Sequence, residues 1–299
     1  MDRLQEMSVF VAVADEQSFA AAARKLRMSP PAVTRSVSAL ETRLATRLFT
    51  RTTRSVRVTD AGIRFLYDCR RILSEVDEAE AAAAGSHAIP RGELSVTASV
   101  PFGELFVMPV LIEFLERYRD VTARTVFTDR VVNMIEEGVD LAVRIAELPD
   151  SSLTAVRVGQ VRNVVCGAPA YFAKVGVPKH PKQLEDHRIA AIMGVSATNE
   201  WVFYASGKPL TVRVRPQIVA NTKEAAIAAA TQGWALTRTI SYSIAAQLEA
   251  GSLKTVLPQY EPPALPIHVI RQEGRHASAK VRAFMELLVE RLRENPRIH

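Results

Sequence analysis

Cysteine is scarce in this chain of 299 residues, which contains only Cys69 and Cys166. The two lie far apart, and neither belongs to a C-x-x-C motif or pairs with histidine at zinc-ligand spacing. The sequence therefore predicts neither a disulfide framework nor a metal site, and we expect no cofactor. The favoured interpretation is that both cysteines are small buried apolar side chains.

Long apolar runs and catalytic constellations are also missing. No stretch of about 18 apolar residues could cross a membrane, and Met1-Asp2-Arg3 does not open a signal peptide, so we expect a cytoplasmic protein with no membrane partner. Paired carboxylates, a nucleophile with its base and a phosphate-binding glycine loop are absent from the sequence, which disfavours an enzyme. The histidines are scattered and are interpreted as surface or packing residues: His87, His180, His187 and His268.

Acidic residues are nearly absent from residues 19–59, where Glu41 is the only one. The same stretch carries nine basic residues and so a net charge of +8, against +6 for the whole chain. This stretch is a candidate to bind the phosphate backbone of DNA, with a solvated charged surface as the alternative. The nine are Arg24, Lys25, Arg27, Arg35, Arg43, Arg47, Arg51, Arg54 and Arg57.

The residues between these charges predict two helices joined by a tight turn. Ser18 can cap an alanine-rich helix, SFAAAARKL, which stops near Arg27-Met28. Ser29 supplies a second hydroxyl cap, and prolines then begin a helix that runs to about Leu44. One face of this helix is apolar (Val33, Val37, Leu40 and Leu44), and the other is slim, hydroxylated and cationic (Pro31, Arg35, Ser38 and Thr42, with Thr34 on the flank). The second face suits the major groove of DNA, and an ordinary surface helix pair is the alternative.

A two-stranded wing is predicted next, in RLFTRTTRSVRVTDAG. Val56 and Val58 alternate with Arg57, and Thr52-Thr53 fill the turn. Three arginines of this segment are available to phosphates: Arg51, Arg54 and Arg57.

The segment from Phe19 to Gly62 resembles the winged helix-turn-helix of LysR-type transcriptional regulators. The cap, the small residues, Leu40-Glu41, Leu48-Phe49 and the Thr-Asp-Ala-Gly at Thr59 to Gly62 occur in the family's order. The resemblance implies DNA contacts from the wing arginines and from Ser29, Pro31, Thr34, Arg35 and Ser38, with Arg35 first among the base readers. Pro30 departs from the family, since many members have Gln there. The family also allows a redox-sensing cysteine pair as an alternative to two buried thiols.

One long helix is predicted from Ala61 to Ala84. Its apolar stripe is too long for one small domain to cover, so we expect the same helix of a second subunit to cover it, and packing on its own domain is the alternative. In the family this helix forms the dimer and spaces the DNA-reading domains. Gly85-Ser86-His87 and Pro90-Arg91-Gly92 mark a hinge. The stripe comprises Phe65, Leu66, Cys69, Ile72, Leu73, Val76 and Ala83.

Strand and helix patterns alternate from Glu93 onward, which predicts βαβ units with a mainly parallel sheet. Predicted strands include LSVTAS, ARTVF, LAVRI, NVVCG and IHVIR, and predicted helices include residues 102–118, 131–137 and 278–293. The resemblance implies a two-lobed α/β effector domain, like the type 2 periplasmic binding proteins, after an α-rich winged helix-turn-helix domain and a linker helix. The expected boundaries are 1–60 for the DNA-binding domain, 61–91 for the linker and 92–299 for the effector domain. Within it, lobe 1 comprises about 92–160 and 266–299, and lobe 2 comprises about 161–265.

A ligand is expected in the cleft between the lobes, where strand ends and helix N-termini favour an anion. The resemblance implies effector contacts from Ser99 and Thr128. Further candidates are Pro101, Phe102, Arg144, Thr198, Trp201, Asn221 and Arg238. Helix capping by Ser99 and Asn221, and a structural ion pair for Arg144, are the alternatives. Trp234 stands where the family often has a small residue, so its indole is expected to alter the pocket.

The sequence is therefore identified as a homodimeric or homotetrameric regulator that binds double-stranded DNA and a small carboxylate effector, with RNA polymerase as a further partner that the resemblance allows. The effector would bind one arrangement of the lobes better and thereby bias the placement of the DNA-binding domains. A solute-binding or carrier protein is the alternative, because the cleft fold alone suits that role. The basic N-terminal domain and the missing signal peptide favour the regulator.

Overall fold

The computed structural model describes residues 2–51, 56–83, 89–148, 153–193, 199–272 and 278–298. Within these residues, no helix has both the length and the apolar character required to span a membrane. The N-terminal part consists of three helices, a two-stranded antiparallel wing and a long helix. In chain order these are α1 (Arg3–Glu16), α2 (Phe19–Lys25), α3 (Pro30–Arg43), β1 (Phe49–Arg51), β2 (Val56–Val58) and α4 (Asp60–Ala83).

The apolar sides of these elements enclose one small core around Phe10. The Phe10 ring lies 5.2 Å from that of Phe49 and 5.5 Å from that of Phe65, so α1, the wing and α4 meet at one point. The predicted apolar face of α3 closes this core with Val33, Val37 and Leu40, all fully buried. Because the apolar face of α3 packs into this core, its opposite face is exposed to solvent.

The turn between α2 and α3 follows from the local chemistry of its ends. Ser18 caps α2 as predicted, since its hydroxyl accepts from the Ala21 amide at 3.3 Å. Arg27 has a φ of 54°, and the Met28 amide bonds back to the Ala23 carbonyl, which ends α2 within one residue. The predicted hydroxyl cap at Ser29 is wrong, because its side chain makes no capping hydrogen bond and only its carbonyl accepts from α3.

The long helix α4 is confirmed, and the two halves of its apolar stripe have different surroundings. Phe65, Leu66 and Cys69 pack into the N-terminal core, so packing on the helix's own domain is correct for this first half. Ile72 and Val76 continue the line of Cys69 and join no core among the described side chains. The hinge residues 85–87 lie outside the described residues.

The described residues of the remaining chain form four sheets with intervening helices. The described elements are β3 (Gly92–Ala98), α5 (Val100–Phe102), a π-helical turn (Gly103–Val107), α6 (Met108–Arg117), β4 (Val121–Phe127), β5 (Leu141–Ile145), β6 (Leu153–Val161), β7 (Asn163–Gly167), α7 (Pro169–Val175), β8 (Ile189–Ile192), β9 (Glu200–Ala205), β10 (Lys208–Arg213), β11 (Pro216–Ala220), α8 (Lys223–Thr231), β12 (Thr237–Ile240), α9 (Ala245–Glu249), β13 (Lys254–Val256), β14 (Leu265–Gln272) and α10 (Ala279–Arg293).

Two lobes result from this chain path. Lobe 1 has a five-stranded sheet of order β4-β3-β5-β14-β6, covered on one face by α6 and α10. Lobe 2 contains the sheet β12-β7-β13, the parallel pair β8-β11 and the hairpin β9-β10. The chain leaves the five-stranded sheet after Val161 and returns at Leu265, which pairs with it. Two crossings of the chain therefore join the lobes.

Two predictions about these lobes are wrong. The five-stranded sheet is mixed rather than mainly parallel, because β14 runs antiparallel to β5 and β6. The β12-β7-β13 sheet is antiparallel throughout. Residues 131–137 form a single turn rather than a helix. The Asn133 side chain accepts from the Ile135 and Glu136 amides, and Gly138, with a φ of 64°, ends the turn.

Candidate functional site

The outward face of α3 is exposed and cationic. Pro31, Arg35, Ser38 and Thr42 are exposed, and Thr34 is half-buried. Among the described residues Arg35 has neither an ion-pair partner nor a hydrogen bond, so its guanidinium is available to a base edge. The Thr34 hydroxyl donates back to the Pro30 carbonyl at 3.1 Å and still offers lone pairs outward.

The single acidic residue of the basic stretch is directed away from this face. A carboxylate oxygen of Glu41 accepts from the Leu48 and Phe49 amides at 2.8 and 3.1 Å and so fixes the start of β1. Arg57, on β2, is exposed and lacks a partner among the described residues. Arg51 closes β1 in the backbone pairing, and Arg54 lies outside the described residues.

The Thr-Asp-Ala-Gly motif positions the wing against α4. The Thr59 hydroxyl donates to the Arg47 carbonyl at 2.9 Å and accepts from the Gly62 amide at 3.0 Å, which caps α4. A Cβ on Gly62 would lie 2.3 Å from the Leu48 carbonyl oxygen. The wing therefore lies against the first turn of α4 more closely than any side chain would permit.

In lobe 1 the strand register brings three predicted residues to one edge of the sheet. Phe127 pairs with Ala98, and Thr97 pairs with Ala142. Thr128 and Ser99 directly follow β4 and β3, and Arg144, the last residue but one of β5, consequently lies level with them. This edge also includes His268, which pairs with Arg144 and whose Nδ1 is buried without a described partner. From the sequence, His268 is expected to be a surface or packing residue, because an isolated histidine in a strand belongs to no motif.

The side chains at this edge are only partly satisfied. The Ser99 carbonyl accepts from the Gly103 amide, but its buried hydroxyl has no described partner, so it does not act as a side-chain cap. Arg144 donates to the Val132 carbonyl at 3.2 Å, and burial lowers its pKa. No carboxylate among the described residues forms an ion pair with Arg144. A half-buried cation and a buried hydroxyl without a described partner together favour a ligand with acceptor oxygens.

Lobe 2 approaches this edge at two points. Lys223, at the start of α8, forms a 3.0 Å ion pair with Asp129, the residue after Thr128. Thr222, rather than Asn221, caps α8 by accepting from the Ala225 amide. Tyr242, which follows β12, inserts its ring into the core of lobe 1, with centroids 5.5 Å from those of Phe102 and Phe106.

Tyr242 is not predicted as a site residue from the sequence. In the structure its hydroxyl is buried and has no hydrogen-bond partner among the described residues. Tyr242 is 3% exposed, and burial raises its pKa to about 12. The hydroxyls of Ser99 and Ser243 lie beside its phenolic oxygen, yet none of the three has a partner with hydrogen-bond geometry in the described part of the chain. Buried hydroxyls without partners cost stability, so this cluster favours a polar guest.

Among the other predicted contacts, Phe102 adjoins this cluster through its ring contact with Tyr242. Pro101 and Phe102 are buried in lobe 1, and Trp201 lies in the core of lobe 2. Arg238 packs over the rings of Trp201 and Phe203 at 5.9 and 5.5 Å, and burial lowers its pKa. Asn221 is exposed, and Thr198 lies outside the described residues.

Trp234 and the two cysteines have structural surroundings. At the end of α8, the amides of Gly233 and Trp234 donate hydrogen bonds to the Ala230 and Ala229 carbonyls. The guanidinium carbon of Arg188 lies 5.3 Å from the centroid of the Trp234 ring. Cys69 is buried in the N-terminal core and Cys166 in lobe 2, and burial raises the pKa of each thiol to about 12. Thiols with such a pKa carry little thiolate at neutral pH, which favours the interpretation of two buried apolar side chains.

A winged helix-turn-helix head, a long helix and a two-lobed α/β domain define a transcription regulator with an effector-binding domain as the class of protein. Comparison with known families agrees. Residues 4–63 match the bacterial regulatory helix-turn-helix protein of the lysR family, and residues 87–293 match the LysR substrate binding domain. The chain belongs to the LysR family of transcriptional regulators.

Relatives of this chain match over nearly its whole length. An HTH-type transcriptional repressor of Pseudomonas aeruginosa is 32% identical over 100% of this chain and 95% of its own. The HTH-type transcriptional activator AaeR of Escherichia coli is 29% identical over 97% and 94%. The solved structure of CrgA, a LysR-type transcriptional regulator from Neisseria meningitidis, is similar with a TM-score of 0.62 and 30% identity, covering 97% of this chain and 99% of CrgA. Both a repressor and an activator are similar, so similarity leaves the direction of regulation open.

Proposed function

We propose that this chain is a cytoplasmic, sequence-specific DNA-binding regulator whose output responds to a small carboxylate bound between the lobes. The proposed domain division is 1–60, 61–91 and 92–299. The proposed DNA contacts are those predicted from the sequence, with Arg35 reading a base and Arg57 contacting phosphate. The proposed effector contacts are Ser99, Thr128, Arg144 and Tyr242. RNA polymerase and a homo-oligomer are the proposed protein partners.

The observation that carries the effector proposal is the buried hydroxyl pair of Ser99 and Tyr242, which come from different lobes. A carboxylate accepts from both hydroxyls at once, and Arg144 on the neighbouring strand balances its charge. Such a ligand bridges the lobes and stabilises their closed arrangement. Through the chain crossings and α4, that arrangement biases how the DNA-binding domains are placed.

A thermal-shift screen tests this site. Benzoate, acetate and succinate are compared with benzamide and benzylamine, which are a neutral and a cationic analogue of benzoate. We expect only carboxylates to raise the melting temperature, since a ligand that binds the folded state stabilises it by mass action. Removing one hydroxyl, in Ser99→Ala or Tyr242→Phe, should raise the dissociation constant for the carboxylate about tenfold, the equivalent of ~1.4 kcal/mol.

Tyr204→Phe, a hydroxyl deletion on the β9-β10 hairpin, is the matched control and should leave carboxylate binding unchanged. Operator affinity without ligand should be the same in all three variants. A screen in which only benzylamine or benzamide binds contradicts the anion assignment. Carboxylate hits that both cleft variants bind as tightly as wild type place the ligand elsewhere.

The proposed dimer seam is the second half of α4. Leu66 belongs to the N-terminal core, so a charge there would damage the fold and would not test the interface. Ile72 and Val76 are half-buried, lie outside every described core and stand one helical turn apart. Ile72→Asp with Val76→Asp should therefore yield monomers in sedimentation velocity, with a native circular dichroism spectrum. A dimer that survives this pair would mean that the subunits meet elsewhere.

A further inference from the structure

A cavity of about 780 Å³ separates the linker helix from lobe 1, well away from the cleft between the lobes. Its walls come from α1 and α4 on one side. On the other side they come from β3, β4, the two residues before β5, β14 and the start of α10. Cavities of about 300–1,000 Å³ are the usual size of small-molecule sites. This cavity lies between the N-terminal DNA-binding part of the chain (the head) and the two-lobed effector domain (the sensor). Its occupant would therefore touch both.

Two buried polar side chains of this cavity, Ser95 and Lys280, have fewer hydrogen-bond or charge partners among the described residues than they can accommodate. Leu94 and Val96 of β3 face the core of lobe 1, so Ser95 between them faces the cavity. Ser95 is 1% exposed, and its hydroxyl has no partner in the described part of the chain. Lys280 is 7% exposed, and within the described residues its ammonium donates to the Ser74 hydroxyl alone, at 3.3 Å. A buried ammonium without a carboxylate at contact distance is an incomplete site.

An acidic group faces the same space. Asp140 accepts from the Ser95 amide at 2.7 Å, and burial raises its pKa although Lys280 opposes that shift. The wall therefore holds a buried cation, Lys280, and a half-buried acid, Asp140. A ligand with both a carboxylate and an ammonium group meets both demands.

The charge balance of the walls points to the same chemistry. Five basic and five acidic residues line the cavity, so the walls favour a ligand without net charge. Several of these charges already pair across it. Arg70 of α4 bonds to Asp15 of α1 and lies 3.5 Å from Glu93 of β3, and Arg91 lies 3.0 Å from Asp77. Besides these pairs, the cavity is also lined by Arg71, Asp120, Asp140, Arg271 and Lys280. We expect a guest to engage Lys280, which is buried, and Asp140, which accepts from the Ser95 amide.

We propose that this cavity is a second ligand site, which takes a zwitterion of amino-acid to short-peptide size with its carboxylate at Lys280 and its ammonium toward Asp140. The occupant contacts α4 and lobe 1 together and so favours the arrangement in which they are packed. It thereby changes how the DNA-binding head is held, independently of the cleft.

Isothermal titration of the full-length protein tests this site. The probes are the twenty common amino acids, diglycine and triglycine, with acetate and methylammonium as single-charge controls. At least one zwitterion should bind, and neither single-charge ion should bind at the same concentration. Lys280→Met and Ser95→Ala should each raise the dissociation constant for the zwitterion at least about tenfold. The matched control, Lys254→Met on exposed β13, should bind as wild type does, as should the cleft variant Tyr242→Phe.

Hydrogen exchange locates the bound zwitterion. Binding should slow amide exchange in α4 and β3 together, while the β7-β12 segment stays unchanged. If Lys280→Met fails to fold, Ser95→Ala decides, because it removes only one buried hydroxyl. The proposal is overturned if no zwitterion binds, if acetate binds equally well, if both cavity variants bind as wild type does, or if protection appears only at the cleft.

Discussion

Arg35 and Arg57 carry the same charge but sit on different surfaces. Arg35 projects from the slim outer face of α3, and Arg57 projects from the wing. Arg35→Ala should weaken binding to the specific operator about 10- to 100-fold and change binding to random DNA little, because a fork onto guanine discriminates between bases. Arg57→Ala should weaken both and reduce the salt slope by roughly 1, since one phosphate contact is lost.

Fluorescence anisotropy at several salt concentrations measures both effects. Arg213→Ala, on exposed β10 of lobe 2, serves as a charge-matched control and should bind both duplexes as wild type does. Equal losses on specific and random DNA would reassign Arg35 to the phosphate backbone. An unchanged slope in Arg57→Ala would remove the wing arginine from the contacts.

At single residues the sequence predicts capping less reliably than it predicts helices. Ser18 and Ser29 have the same side chain and both precede a helix, but only Ser18 makes the capping bond. Asn221 and Thr222 compete for one cap, and Thr222 takes it. Tyr242 could not be predicted, because its importance comes from contacts with Phe102 and Phe106 that lie more than 130 residues away in the chain.

Gly62 illustrates an element held in place by backbone contact. Gly62→Ala should push the wing away from α4, because the new methyl meets the Leu48 carbonyl and the Val58 side chain at 2.3 and 2.6 Å. We expect a loss of about 1–3 kcal/mol from the stability of the N-terminal domain, with weaker operator binding. Gly207→Ala, where a Cβ meets nothing within 4 Å, should cost only backbone strain and leave operator affinity intact. Calorimetry with operator titration measures both, and equal effects would contradict the steric explanation.

Whole elements were predictable where their pattern is regular. The helices α2, α3 and α4 and both wing strands follow directly from caps, prolines and alternation. The helix α1 was missed because its apolar residues are spread around the helix and mark no single face. Residues 131–137 have helical spacing, but the side chain of Asn133 competes for the amides that a helix would need. Local hydrogen bonds of this kind do not appear in a hydrophobic pattern.

At the scale of the molecule, the Lys223–Asp129 ion pair links lobe 2 to lobe 1. Asp129→Lys should place two cations together and favour open lobes, with a radius of gyration above that of wild type in solution scattering. Adding Lys223→Asp should restore the pair and the wild-type radius. Because Asp129 is half exposed, we expect only about a two- to fivefold loss of carboxylate affinity in the single variant. A double variant as open as the single one would exclude the pair as a link.

Strand order and lobe contacts were the least predictable features at this scale. The alternating pattern indicates strands but does not reveal that β14 returns between β5 and β6 from more than 100 residues later in the chain. That return creates the antiparallel half of the sheet and places His268 beside Arg144. Long-range pairing of this kind is set by the packing of the complete domain.

The guanidinium of Arg70 is shared between Asp15 in the head and Glu93 in the sensor. Engineers who exchange sensor domains between regulators of this type should therefore treat α4 as part of the head and place the junction after Ala83. The incoming domain should then carry an acid at the position of Glu93. A graft with a neutral residue there would leave Arg70 anchored to Asp15 alone, and the new sensor would dock less firmly against the helix that has to report its state.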